Sequence, residues 1–224
     1  MNGLPVLLLL ILIAALPVIL LFLWYRLIRF PISSGRFLLF LLGGATSMFI
    51  ALILQSLIPA LPDAAASSPL ESLGPVLFNL FCRIAATEEA ARVLIFLILF
   101  PLARHKGDVL WGSAAGLVAG LGFALVESAS YGASDVWIAL LRTVTSAPLH
   151  GACGARVGAA VSGLRDHPFP SLMRFLTAVV IHGMYNFMIR SSGIPAIMAI
   201  LAALCALASS ILSIRAGLKN GEAT

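Results

Sequence analysis

The sequence predicts an all-α fold, a polytopic transmembrane helical bundle with about seven spans. Hydrophobic residues make up 61% of the 224 residues and charged residues only 10%, whereas soluble domains carry about 25% charged residues. Apolar runs long enough to cross a bilayer recur along the whole chain, and basic residues gather near their ends. Since so little polar surface cannot coat a soluble particle, most of this protein must face lipid.

Seven apolar runs approach or exceed the roughly 20 residues that a helical span requires. They cover residues 4–27, 37–61, 75–103, 109–130, 136–164, 171–189 and 194–214. The first run has no Lys or Arg before it and is too long for the apolar part of a signal peptide, so we expect a retained anchor. The connections are short, which predicts a single integral membrane domain over residues 1–224.

Basic residues mark one side of the predicted array and explain the net charge of +5. They form four groups that a seven-span topology puts on the same side: Arg26, Arg29 and Arg36; Arg104 and Lys106; Arg165 and Arg174; Arg215 and Lys219. The other side has Asp63, Glu71 and Asp135, with Arg190 as an exception. The positive-inside rule then predicts an external N-terminus and a cytoplasmic C-terminus. This distribution favours membrane topology over nucleic-acid binding.

Small residues recur on two neighbouring helices. Gly112, Gly116 and Gly120 are four residues apart on the fourth run, and Gly154 and Gly158 repeat this spacing on the fifth. Such faces allow two helix backbones to approach closely. We therefore expect the fourth and fifth helices to pack tightly.

Polar residues inside the spans indicate a structural or functional role, because placing a charge there costs roughly 2.5 kcal/mol or more. The set comprises Glu88, Glu89 and Arg92 on the third helix, Glu127 on the fourth, His150 on the fifth, and His182 and Asn186 on the sixth. A rise of about 1.5 Å per residue puts the glutamates and histidines about 16–27 Å from the helix ends. We therefore expect four helices to bring them together between the membrane midplane and its outer third.

Two histidines with two or more glutamates match the residues of a catalytic zinc site, which uses three protein ligands and a separate carboxylate as base. Arg92 follows Glu88 by four positions and Glu89 by three, so it can lie beside one of them. Structural explanations exist for each residue alone. A buried histidine can bond a backbone carbonyl, one glutamate can be a structural partner of Arg92, and Asn186 can join helices.

Four segments resemble the motifs of the PrsW family of intramembrane proteases, which is related to the CAAX prenyl endopeptidases and bacteriocin-processing proteins. They are Glu88-Glu89-Ala90-Ala91-Arg92, Gly122-Phe123-Ala124-Leu125-Val126-Glu127, Ala147-Pro148-Leu149-His150-Gly151 and Ile181-His182-Gly183-Met184-Tyr185-Asn186. CAAX-type proteases have the arginine one position later and a histidine where Glu127 stands, so both differences favour the PrsW-like branch. That branch usually has lysine at the position of Arg92.

The resemblance implies a membrane-embedded endopeptidase that cuts membrane-anchored proteins, with anti-sigma-factor-like, single-span proteins as the expected substrates. We predict that Glu127, His150 and His182 hold zinc or another divalent metal, that Glu88 or Glu89 is the general base, and that Asn186 donates to the oxyanion. Arg92 has a supporting role. In a metal-free alternative, Glu89 and the histidines position water directly. The catalytic core is expected over about 75–190, with helices one, two and seven as scaffold or gate, in a bacterial inner membrane.

Two other functions fit a polar cluster inside a bundle. Buried glutamates and histidines also serve as proton relays, which makes a proton- or ion-coupled transporter an alternative. The chain has no internal repeat of the kind common in such transporters. A non-catalytic membrane scaffold is the other alternative. No HExxH, Walker A or GxSxG motif is present, and no pair of aspartates lies in the spans.

Overall fold

The structure is a computed structural model that describes residues 3–62, 69–103, 108–132, 136–191 and 193–220. Within these ranges the regular structure is entirely helical and no strand occurs, which confirms the all-α prediction. Asp63, Arg104, Lys106 and Asp135, which contributed to the predicted topology, lie outside the described residues.

In the part of the chain that the structure describes, seven helices follow the seven predicted runs. They are α1 (Gly3–Leu27), α2 (Ser34–Leu57), α3 (Pro69–Leu77, Phe78–Ala85 and Ala86–Leu102, which are continuous), α4 (Val109–Gly132), α5 (Val136–Gly163), α6 (Pro168–Arg190) and α7 (Ala196–Lys219). Helix α6 begins three residues before the predicted run because Pro168, with its fixed φ, suits the first helical turn. Helix α3 also begins earlier than predicted, at Pro69.

Within the described residues, four of these helices are long and apolar enough to cross a membrane: α2, α4 over Val109–Tyr131, α6 and α7. Helix α1 has a shorter apolar stretch over Leu12–Leu27. Large apolar side chains such as Leu23, Ile53 and Leu212 are exposed, as expected where lipid replaces water. The chain is thus a multi-pass integral membrane protein, while seven spans and the orientation of the termini stay predictions.

Helix α4 is central and packs against α1, α2, α5 and α7. Its glycines allow this: a Cβ at Gly116 would lie 2.1 Å from the carbonyl oxygen of Gly154, and one at Gly120 would lie 2.0 Å from that of His150. The predicted close contact of the fourth and fifth helices is therefore confirmed. It brings the backbone of His150 directly against α4.

The middle part of α3, Phe78–Ala85, is wound as a π-helix, a rare geometry that is frequent near functional sites. Asn79 bonds both backbone groups of Leu61, at 3.0 and 2.7 Å, and Arg83 Nε donates to the Ile58 carbonyl at 2.9 Å. These two polar side chains therefore hold the segment that leaves α2. The Phe81 ring fills the space above Gly183, where a Cβ would lie 2.3 Å from it, so α3 contacts α6 beside His182.

The packing of α4 on α5 predicts a large effect of one added methyl group. Gly116→Ala should lower stability by about 1–3 kcal/mol, because the new Cβ meets backbone that cannot move aside as a side chain can. The measurement is the thermal unfolding midpoint of the purified protein in detergent. Gly35→Ala is the matched control, since nothing lies within 4 Å of its Cβ position. Equal midpoints for the two variants would contradict the packing described.

Candidate active site

A cavity of about 320 Å³ opens at one end of the bundle. Five helices contribute to it: α2 and α3 on one side, the end of α4, the first half of α5 and the end of α6. The residues that matter for chemistry are Gln55, Glu88, Glu127, Arg142, Ser146, His150, His182, Tyr185 and Asn186. The opposite end of the bundle carries the basic residues Arg165, Arg215 and Lys219. Five of the predicted site residues, from four helices, thus share one cavity.

Glu89 and Arg92 lie behind the cavity wall and are almost completely buried. Glu89 Oε1 forms an ion pair with Arg92 Nη1 and accepts a hydrogen bond from His182 Nδ1 at 2.7 Å. Arg92 is 4.0 Å from the nearest carboxylate oxygen of Glu88. Of the two neighbouring glutamates, Glu89 is therefore the ion-pair partner of Arg92, and Glu88 is the one that faces the cavity.

His182 is oriented by its bond to Glu89. Because Nδ1 donates to that carboxylate, the lone pair of Nε2 is available on the other side of the ring. Nε2 lies 3.6 Å from Oε2 of Glu88, too far for a hydrogen bond. Oε2 of Glu88 is buried and has no hydrogen-bond partner, whereas Oε1 accepts from Gln55 Nε2 at 3.3 Å. Nε2 of His182 and Oε2 of Glu88 are thus two acceptors with no donor between them, an arrangement that suits a cation bound by both.

His150 lies edge-to-face against His182, with ring centroids 5.1 Å apart. Its Nδ1 is 2.7 Å from Arg92 Nη2, and a guanidinium can only donate. Nδ1 therefore accepts, and Nε2 carries the proton that is donated to Glu127 Oε2 at 2.7 Å. Both imidazole nitrogens are thus engaged with protein groups.

Glu127 is the carboxylate with the most donors. Its Oε2 also contacts Arg142 Nη2 at 2.5 Å and accepts from Ser146 Oγ at 3.2 Å. Arg142 in turn donates to Ser146 Oγ at 3.0 Å. The side chain is 13% exposed, against 7% for Glu88 and none for Glu89. Glu127 is therefore held in one orientation at the more open part of the cavity.

The donor set fits a divalent metal ion. Glu88, His150 and His182 each offer one ligand atom, and these atoms lie within 4.8 Å of one another. Two ligand atoms of a tetrahedral zinc ion are about 3.4 Å apart, so side-chain shifts of about 1.5 Å would bring these atoms within reach of one ion. The bond from His182 to Glu89 is the outer-shell carboxylate contact that zinc-binding histidines usually have. His150 would have to exchange one of its two present contacts.

Sequence reasoning missed three residues of this cavity. Gln55 contacts Glu88, and Arg142 and Ser146 hold Glu127. Arg142 could have been found, since it is a charged residue inside the predicted fifth span. Gln55 and Ser146 gave no comparable signal, because single Gln and Ser residues are common in membrane helices. Asn186 lines the cavity as predicted.

The sequence also matches a known protein family. A family model described as PrsW family intramembrane metalloprotease matches residues 35–211, from the first turn of α2 into the second half of α7. Among curated proteins and among solved structures, no match to the chain was found. The matched region contains all the residues of the cavity. The chain therefore belongs to the PrsW family of intramembrane metalloproteases, and it is a peptidase.

Proposed function

We propose that this protein is an intramembrane endopeptidase that hydrolyses a peptide bond of a membrane-anchored protein, with its reaction centre at Glu88, Glu127, His150 and His182. The observation that carries the proposal is the meeting of these four side chains, from four helices, at one cavity. A buried carboxylate, Glu89, orients one of the two histidines. Neither a transporter nor a scaffold is favoured by any feature of this cavity.

Glu88, His150 and His182 are the proposed metal ligands, and zinc is the preferred ion because imidazole and carboxylate suit it. The unpartnered oxygen of Glu88 near His182 supports this choice over the ligand set expected from sequence, which had Glu127 in place of Glu88. When bound, such an ion polarises a carbonyl group and makes a water molecule easier to deprotonate.

Glu127 is then the proposed general base. Arg142 and Ser146 fix its carboxylate at the open part of the cavity. It takes a proton from a water molecule whose oxygen attacks the carbonyl carbon of the substrate peptide. The same proton passes to the amide nitrogen as the carbon–nitrogen bond breaks. The roles of Glu88 and Glu127 are thus exchanged relative to the sequence-based hypothesis, which remains the alternative that metal analysis can test.

Two further roles follow from position. Asn186 lines the cavity one helical turn after His182, and its amide can donate to the carbonyl oxygen as negative charge develops there. Arg92 and Glu89 hold His182 and His150 without facing the cavity. We assign them to positioning.

The proposed substrate is a single-span membrane protein of the anti-sigma-factor type in a bacterial inner membrane. The resemblance of the motifs supports this class. The cavity also opens at the end of the bundle away from Arg165, Arg215 and Lys219, and the positive-inside rule would make that the external face. Cleavage would then occur near the outer surface of the membrane.

Cleavage of a library of single-span bacterial membrane proteins in proteoliposomes tests the activity. Glu127→Gln should lower the rate by about 10²–10⁴-fold, the usual contribution of a general base, and His182→Ala should abolish cleavage. His167→Ala is the matched control, because His167 is exposed in the α5–α6 connection. A chelator should suppress wild-type cleavage and added zinc restore it. Equal rates for wild type and all variants would refute the site.

The metal content of purified variants separates the roles of the two cavity glutamates. We expect one divalent ion per wild-type chain, a loss of binding in Glu88→Gln and His182→Ala, and retained binding in Glu127→Gln. Glu89→Gln should weaken metal affinity by about 10–100-fold, as for other outer-shell partners. Elemental analysis after dialysis against a weak chelator measures this. Loss in Glu127→Gln with retention in Glu88→Gln would support the sequence-based ligand set instead.

The positioning role of Arg92 predicts a loss of stability. Arg92→Met leaves Glu89 buried without its cationic partner, and breaking a buried pair in this way costs about 3–5 kcal/mol. The thermal unfolding midpoint in detergent should fall markedly. Arg165→Met, at an exposed arginine, should leave the midpoint almost unchanged. If the two variants unfold at the same temperature, Arg92 does not anchor the site.

A further inference from the structure

A second polar cavity, with a volume of about 330 Å³, lies at the opposite end of the bundle. It is formed by the beginning of α4, the second half of α5, the beginning of α6 and the second half of α7. Two arginines, Arg156 and Arg174, line it together with four serines: Ser113, Ser209, Ser210 and Ser213. No residue of the proposed reaction centre takes part.

Arg156 is fixed in the wall of this cavity. Its Nη1 donates to the carbonyl oxygen of Ala152 at 2.9 Å and to Ser210 Oγ at 3.0 Å, and its Nη2 donates to Ser209 Oγ at 2.8 Å. All of these partners are neutral, so they hold the guanidinium in place without balancing its charge. A preorganised cation of this kind is well suited to an anion.

Arg174 supplies the second cation. Its Nη1 is buried and has no hydrogen-bond partner, which leaves a donor unsatisfied at a place where water has little access. In the part of the chain that the structure describes, no carboxylate lies within 4.0 Å of either arginine. Asp108, next to the cavity in sequence, caps the start of α4 through its bonds to the backbone N–H groups of Leu110 and Trp111.

We propose that this cavity binds a phosphate group, carried either by an anionic lipid headgroup or by a free phosphate anion. Two guanidinium groups and several hydroxyls are the donors that recognise phosphate oxygens, and the unsatisfied donor of Arg174 requires an acceptor. Arg174 is six residues into α6 and Arg156 seven residues before the end of α5, so both lie about 9–11 Å from those helix ends. The cavity reaches Val109 and Leu110 in the first turn of α4, so it extends to the end of the bundle at which lipid headgroups would lie. Ser209 and Ser213 are exposed, which leaves the cavity open to the lipid.

Lipid titration with native mass spectrometry of the purified full chain tests the proposal. The probes are phosphatidylglycerol, a diacylglycerol with the same acyl chains but no phosphate, and inorganic phosphate. Wild type should bind phosphatidylglycerol at least about tenfold more tightly than diacylglycerol, and Arg174→Gln should remove about that factor, the usual effect of one charge-assisted hydrogen bond. Arg165→Gln is the matched control, with the same charge change at an exposed arginine near the same end.

The outcomes distinguish the two sources of phosphate. Displacement of bound lipid by inorganic phosphate in wild type, lost in Arg174→Gln, identifies a free anion. Lipid binding that needs Arg174 and ignores inorganic phosphate identifies the headgroup. Unchanged binding in Arg174→Gln, or an equal loss in Arg165→Gln, overturns the proposal. Should Arg174→Gln not fold, Ser113→Leu fills the cavity without removing a charge and is expected to lower phosphatidylglycerol binding as well.

Discussion

The ion pair between Glu89 and Arg92 is the interaction on which the polar centre of this bundle depends. Both side chains are buried, so each needs the other to offset the cost of removing its charge from water. Glu89 also accepts from His182, while Arg92 donates to His150 and lies over the Phe123 ring at 4.2 Å. One pair on α3 thereby fixes groups on α4, α5 and α6. Because the pair is shielded from water, these contacts are strong, and their loss would leave a buried charge without a partner.

Direct contact between the backbones of α4 and α5 is the second constraint on the site. Glycines on α4 and α5 let the two backbones touch, and Gly120 lies against the carbonyl of His150. Glu127 follows Gly120 by seven residues and therefore lies on nearly the same face of α4. There its carboxylate contacts the imidazole of His150. The short distance between a carboxylate on one helix and an imidazole on the next is therefore a consequence of small residues two turns away.

The two ends of the bundle have opposite chemistry. One holds two glutamates and two histidines around a cavity, with Glu89 behind its wall, and the other holds Arg156 and Arg174 around a second cavity. In a membrane these ends would face different surfaces, so the proposed hydrolysis at one end and the proposed phosphate binding at the other can coexist in a small chain. An aromatic cluster of Phe40, Phe96 and Trp111 joins α2, α3 and α4 near the end that carries the two arginines.

The sequence by itself determined the helical membrane fold, because an apolar run of about 20 residues has few other stable forms in lipid. It also identified the polar residues that meet, since a charge inside a span is costly enough to be informative. It could not separate the roles of Glu88 and Glu89. Adjacent residues on a helix point about 100° apart, and only the packing of α3 against α5 and α6 decided which faces the cavity. Gln55 and Arg142 likewise acquired their partners from helices distant in sequence. Local pattern thus predicted the elements and five of the residues that line the cavity, and tertiary contacts alone decided which group touches which.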